Sequence, residues 1–280
     1  MSAASVREIE ASDLDTVVAL LSEGFRRRTA AYWRDALARL GGRPRVDGLP
    51  RYGHLLVVGD RAEGVLLVLS ASVDGHARSN LSSWYVREAH RRYSVFLYQS
   101  ALRAKGTTWL NLSPSPTALP IVKAFGFRPY TAGTLALDLR ETLRPGRAAV
   151  RPLDAGAIAA LGEPRASLVS AHLDWGCGGF AIEDERGVEA VLYRTQRHKR
   201  AALAARCVTG DPARVANAAG AALRRLARRR IVRLLVDAPP ELASGMRGRV
   251  RPELNVRYAR GPRPPAAGDL LGTEIPMFGL

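Results

Sequence analysis

The sequence predicts an α/β (α+β) protein built as two tandem domains, each a mixed, largely antiparallel twisted sheet flanked by helices. Two observations carry this reading. The order hairpin, strand, helix, strand occurs in both halves, and the helix-plus-strand units at residues 93–112 and 216–236 have similar lengths. A chain of 280 residues with 47% hydrophobic residues is also long and apolar enough to bury two cores. The expected division is residues 1–142 and 148–280, joined by the Pro-Gly linker at residues 143–147, LRPGR.

In the first half, Val6 to Ile9 reads as a short strand. Ser12-Asp13-Leu14-Asp15 opens a helix: Ser12 offers a cap, acidic residues suit the positive helix end, and Val17, Leu20 and Leu21 follow at helical spacing. Residues 29–40 form a second amphipathic helix, ended by Gly41-Gly42. The apolar runs 54–58 and 64–73 flank a polar turn and predict a hairpin. A strand over 81–86, a helix over 90–105 closed by Gly106, a β-rich run over 107–112, a short helix over 116–125 and a last strand over 134–139 complete this half.

The second half repeats the pattern. Residues 150–154 echo the opening strand, and 155–161 suit a short helix. The runs 179–182 and 189–194 flank the turn Glu185-Arg186-Gly187 as a hairpin. A strand over 201–208, a long helix over 212–229 with Pro212 in its first turn, and an apolar strand over 231–236 follow. The run 270–278 is expected to be a closing strand.

The net charge is +16, and all but three of the 42 basic residues are arginines. Such a charge invites phosphate-bearing ligands. No basic motif interleaved with aromatics accompanies it, so nucleic acid is not the expected partner. A GC-rich coding sequence would produce the same Arg-for-Lys bias. Two cysteines give neither a disulfide framework nor a CxxC metal pair, and no metal is expected. No run approaches the roughly 20 apolar residues of a membrane span, and the N-terminus lacks the layout of a signal peptide, so the expected location is cytoplasmic.

Chemistry concentrates in residues 81–130. His90-Arg91-Arg92-Tyr93-Ser94-Val95-Phe96 lies between a strand end and a helix start, where the helix N-terminus favours an anion. A solvated basic turn is the plain alternative. Asn111 and Ser113 end the next strand on one face. In the second half, Arg214 to Ala219 is a weaker version of the same turn, and also an ordinary Ala-rich helix start. His172 to Gly179 gathers one His, one Asp and one Cys, a set too small for a metal site, and reads as a Gly-rich loop beside an acceptor pocket.

The region resembles the Gcn5-related N-acetyltransferase (GNAT) superfamily in a tandem form. Arg91 and Ser94 fall on that family's R/Q-x-x-G-x-G/A turn, with Ser94 and Phe96 at the glycine positions. Ala118, Gly126 and Phe127 match its N-x-x-A-x-x-x-Y-x-x-x-G-F segment, with Ser115 at the Asn position and Val122 at the Tyr position. The combination SSWYV, NLSPSP and GFRPY is also similar to uncharacterised bacterial acyltransferases linked to polysaccharide synthesis, which implies a sugar or lipid-linked acceptor.

The resemblance implies an acyl-CoA-dependent acyltransferase. It would carry an acetyl or short acyl group from acetyl-CoA or another acyl-CoA to the amine or hydroxyl of a small-molecule or sugar acceptor. Tyr85, Val86, Arg91, Arg92, Tyr93, Ser94 and Asn111 would bind the acyl-CoA. Glu88, His90 and Ser113 are the implied catalytic residues, with Tyr130 also near the cleft. A homodimer is open. The alternative is a catalytically degenerate member that binds an anionic metabolite or a protein partner.

Overall fold

A computed structural model describes residues 3–144, 148–199, 202–239, 241, 248–251 and 255–279. Contacts group the chain into two compact units: Met1–Arg128 with Ala259–Pro264 and Gly272–Phe278, and Pro129–Tyr258 with Pro265–Leu271 and Gly279–Leu280. The linker proposed at 143–147 falls largely outside the described residues.

The first unit opens with strand β1 (Ala4–Glu8) and helices α1 (Leu14–Gly24) and α2 (Ala30–Gly41). Ser12 is not the cap. It lies inside a 3-10 turn, Ala11–Asp13, whose start is closed by reciprocal bonds between Glu10 and Asp13. Thr29 caps α2, its hydroxyl accepting from the Tyr32 N–H at 3.2 Å. Strands β2 (Gly53–Val58), β3 (Arg61–Val73) and β4 (His76–Val86) then form an antiparallel meander. Gly53 has φ +132°, and a Cβ there would collide with the backbone of Leu66 and Leu67. Val65 to Leu69 are buried consecutively, because helices pack against both sides of β3.

The helix expected over 90–105 forms in two parts. A 3-10 segment, Glu88–Tyr93, runs into α3 (Ser94–Ala101). Strand β5 (Thr108–Asn111), helix α4 (Leu119–Ala124) and strand β6 (Arg128–Pro129) follow.

The second unit holds β7 (Gly133–Asp138), β8 (Ala149–Pro152), α5 (Ala155–Ala159), α6 (Arg165–Asp174), β9 (Gly178–Asp184), β10 (Gly187–Lys199), β11 (Ala202–Cys207), α7 (Pro212–Leu226), β12 (Ile231–Ala238) and β13 (Arg249–Arg251). Its core is the apolar stripe of α7, Val215, Ala218, Ala219, Ala222, Leu223 and Leu226, laid on Leu135, Phe180, Ile182, Leu234 and Val236 of the sheet. Elsewhere on α7, Gly220 lets the turn Leu139–Leu143 approach closely: a Cβ there would strike the Glu141 carbonyl.

With β14 (Tyr258–Arg260) and α8 (Glu274–Phe278) the chain ends. The sheets have the orders β1-β2-β3-β4-β5-β14-β6 and β13-β7-β12-β11-β10-β9-β8. In each, an antiparallel meander leads through one helix, α3 or α7, to a parallel neighbour: β4 pairs with β5 and β11 with β12. The predicted architecture of two mixed, largely antiparallel sheets flanked by helices is therefore present.

Three elements depart from expectation. The strand expected to close the first half does form, but it is β7 and pairs with β12 in the second sheet. The run 270–278 is not a strand; it turns and forms α8, which belongs to the first unit. A helix, α6, occupies residues that carried no element in the sequence reading. No helix among the described residues is long and apolar enough to cross a membrane.

Candidate active site

Strand β4 positions the site. Its register with β3 shifts between the pairs Leu67–Ser82 and Val65–Tyr85, so an extra residue bulges at Ser83–Trp84. Ser83 sits at φ +50°, in the left-handed region that few side chains occupy without support. Parallel pairing with β5 covers only Arg78–Thr108, Ser79–Trp109 and Asn80–Leu110. From Leu81 onward β4 runs past the end of that ladder, and β5 stops at Asn111. The two strands thus cease to pair just before the bulge.

A carboxylate bridges the parting strands. Glu274, on α8, is 3% exposed. Its Oε1 accepts from Ser113 Oγ at 2.9 Å, and its Oε2 accepts from Ser82 Oγ. The Glu274 N–H donates to Asn80 Oδ1 at 2.9 Å, and Asn80 Nδ2 donates to the Leu81 carbonyl. α8 is in turn tied to α2: Tyr32 Oη and Arg39 donate to the carbonyls of Phe278 and Met277, and the Phe278 ring packs edge-on against Trp33. The carboxylate is thus oriented by β4 and by the segment that follows β5.

A phenol lies beside it. Tyr98 of α3 is 1% exposed and accepts from Asn111 Nδ2 at 2.6 Å. Trp84, on the bulge, packs 4.6 Å from its ring. Burial pushes Tyr98 well above the ordinary tyrosine value, and the nearby Glu274 charge pushes the same way, so the phenol keeps its proton.

The end of β4 and the start of α3 form a charged ladder. Tyr85 Oη donates to Glu23 at 2.8 Å and Arg87 Nε at 3.0 Å; these two bonds hold Glu23 below the usual carboxylate range. Burial, then Glu23, raises Tyr85. Val86 is buried. His90 Nε2 lies 3.9 Å from Glu63, and its ring stacks on Tyr93, which stacks on Phe96. The Arg92 guanidinium sits 4.8 Å over the Tyr93 ring, and Arg91 pairs with exposed Glu88 at 3.8 Å.

Comparison with solved structures gives low sequence identity and broad coverage. A GCN5-related N-acetyltransferase from Anabaena variabilis superposes with a TM-score of 0.61 at 9% identity, covering 92% of this chain and 72% of that one. A GCN5-related N-acetyltransferase from Kribbella flavida gives 0.56 at 16% identity, covering 92% and 71%. This is the GNAT fold. No protein-family model and no curated protein matches the chain.

Within the GNAT fold, the residues singled out from sequence fall into two groups. Tyr85, Val86, Glu88, His90, Arg91, Arg92, Tyr93 and Ser94 share the end of β4 and the turn into α3; Asn111 and Ser113 share the end of β5. Ser113 reaches the buried carboxylate, whereas Glu88 pairs with Arg91 of its own turn and His90 faces Glu63. The spacing of Asn111 and Ser113 predicts one face of a single strand. The strand ends between them, so one bonds Tyr98 and the other Glu274. Phe96 lies 40% exposed against Tyr93, and Val122 is fully buried in the core. Tyr130 is buried in the second unit's segment, its N–H on the Arg257 carbonyl.

The corresponding turn of the second unit is already filled. Asp211 caps α7, its carboxylate accepting from the N–H groups of Ala213 and Arg214 at 2.8 and 3.0 Å. The Arg214 guanidinium is held by Asp184, Glu189 and the Gly187 carbonyl. An acid stands where an anion would sit. The His172 to Gly179 stretch is not a free loop either: His172 is buried in α6, bonded through Nδ1 to the Leu168 carbonyl and packed on Trp175, and burial raises the Cys177 thiol to about 11. Sequence reasoning missed Glu274, Ser82, Asn80 and Tyr98; the last carried a helical-periodicity signal only for the core.

Proposed function

We propose that the protein is an acyl-CoA-dependent acyltransferase that moves an acetyl or short acyl group to the amine or hydroxyl of a small-molecule or sugar acceptor by direct attack. The observation that carries this reading is the buried Glu274 carboxylate held by Ser82 and Ser113 where β4 and β5 separate. An extended thioester ligand would add to the β4 edge beyond Asn80, and its diphosphate would lie at Arg91, Arg92, Tyr93 and Ser94, where the α3 N-terminus favours negative charge.

In this reading the acceptor loses a proton to Glu274 as its lone pair forms a bond to the thioester carbonyl carbon. The C–S bond breaks, and the departing thiolate takes a proton from Tyr98. N–H groups of β4 near the bulge stabilise the carbonyl oxygen as it gains charge. Ser113 orients the base, which gives it a role beside Glu88 and His90, the other proposed participants. Acetyl-CoA and longer acyl-CoAs, titrated by calorimetry, are expected to give saturable heat. An absence of heat at high micromolar concentration overturns the proposal.

Phe96 and Val122 favour a second reading, in which the protein binds an anionic metabolite or a protein partner without turnover. Measured turnover that disappears in a Ser94→Trp variant excludes it. The ranges 1–142 and 148–280 stand as a proposal for two related ancestral halves.

A further inference from the structure

The loop between α2 and β2 gathers three arginines that no carboxylate pairs with among the described residues. Arg43, Arg45 and Arg51 line one small pocket with Pro50 and Ser70. Arg43 Nη1 donates to the Gly272 carbonyl at 3.2 Å, and Arg51 Nη1 to the carbonyls of Gly41 and Arg43. Every one of these acceptors is neutral. Among the described residues, none of the three guanidiniums forms an ion pair, and neither does Asp47, the loop's own acid.

That arrangement is electrostatically unfinished. Burial, and then repulsion from Arg51, pushes Arg43 down to about 10. Two half-buried guanidiniums side by side repel each other until an anion joins them. Arginine forks match the geometry of phosphate oxygens, and three of them suit a dianion better than a single carboxylate.

The pocket also adjoins the candidate active site. Gly272, which Arg43 grips, lies two residues before Glu274.

We propose that Arg43, Arg45 and Arg51, at the mouth of this pocket, bind a phosphate group carried by the acceptor, so that the acceptor is a phosphorylated amine or alcohol. The phosphate would anchor the molecule while its nucleophile faces Glu274. The use of the site for an acceptor rests on the acyl-transfer reading; the affinity for phosphate does not.

Calorimetry at low ionic strength separates the possibilities, with inorganic phosphate, glucosamine 6-phosphate and glucosamine as probes. The wild-type protein is expected to bind the phosphate ester at least tenfold more tightly than glucosamine, with inorganic phosphate competing. Arg45→Gln should weaken the ester about tenfold. Its side chain has no structural bond, so the fold is expected to be kept; Arg43→Met should weaken binding further. Equal affinity for ester and glucosamine, or unchanged affinity in both variants, overturns the proposal. Binding of inorganic phosphate without the ester overturns the acceptor role and leaves a free-phosphate site. A missing acyl-CoA heat, by contrast, would count against the acyl-transfer reading alone.

Discussion

Glu274 Oε1 accepts a 2.9 Å hydrogen bond from Ser113 Oγ, across 161 residues of chain. The bond brings the C-terminal helix of the first unit to the end of its fifth strand, at the point where the parallel ladder has stopped. A carboxylate 3% exposed is expensive to bury unless its lone pairs are satisfied, and here hydroxyls from β4 and from the segment after β5 satisfy them. Natural cores rarely carry such a group for stability alone.

Replacing Tyr98 with Phe removes the hydroxyl that Asn111 donates to. The Asn111 amide is then left without that partner in a buried place, and thermal or urea unfolding should show a loss of about 1–3 kcal/mol. If Tyr98 is the proton donor, kcat for release of CoA should also fall about 100-fold or more, while acyl-CoA affinity stays within about threefold. A stability loss without a rate loss would restrict Tyr98 to a packing role.

His54 makes the stability of the first unit depend on acid. It is buried on β2, and burial, followed by the charge of Arg103, lowers its pKa from 6.5 to about 4. Below about pH 6.5 the unfolded chain takes up a proton that the folded chain refuses until about pH 4. Stability present above that window is therefore lost as pH falls through it, by up to about 3 kcal/mol. Urea midpoints measured from pH 7 to pH 4.5 should decline accordingly, and His54→Leu should flatten this part of the profile.

Leu223 tests the packing of the second unit. It is fully buried where α7 lies on the sheet. Leu223→Ala should destabilise by about 2–5 kcal/mol in calorimetric unfolding. A change below 1 kcal/mol would mean that the helix is less closely packed than its Ala- and Gly-rich face indicates.

Much of the fold is legible in local pattern. The period of Val215, Ala219, Ala222 and Leu226 announces α7, and the apolar runs around the turn at residues 59–63 announce the β2–β3 hairpin. Asn111 and Ser113 were visible as polar residues at a strand end, and both do reach the Glu274–Tyr98 cluster. Glu274 was not, because its importance comes from partners some 160 to 190 residues away and its neighbours Ile275 and Phe278 read locally as strand formers. Tyr98 was hidden for a related reason: at its position in α3 the helical period asks only for a core residue. β7 escaped its first-half assignment since strand propensity says nothing about which sheet a strand joins.

The most direct test compares wild-type and Glu274→Gln protein for acyl-CoA binding by calorimetry and for CoA release with an amine or hydroxyl acceptor. Acyl-CoA affinities within about threefold of each other are expected, with a fall of at least about 100-fold in kcat for the variant. Full turnover in Glu274→Gln, or no acyl-CoA binding by the wild type, would contradict the acyl-transfer reading.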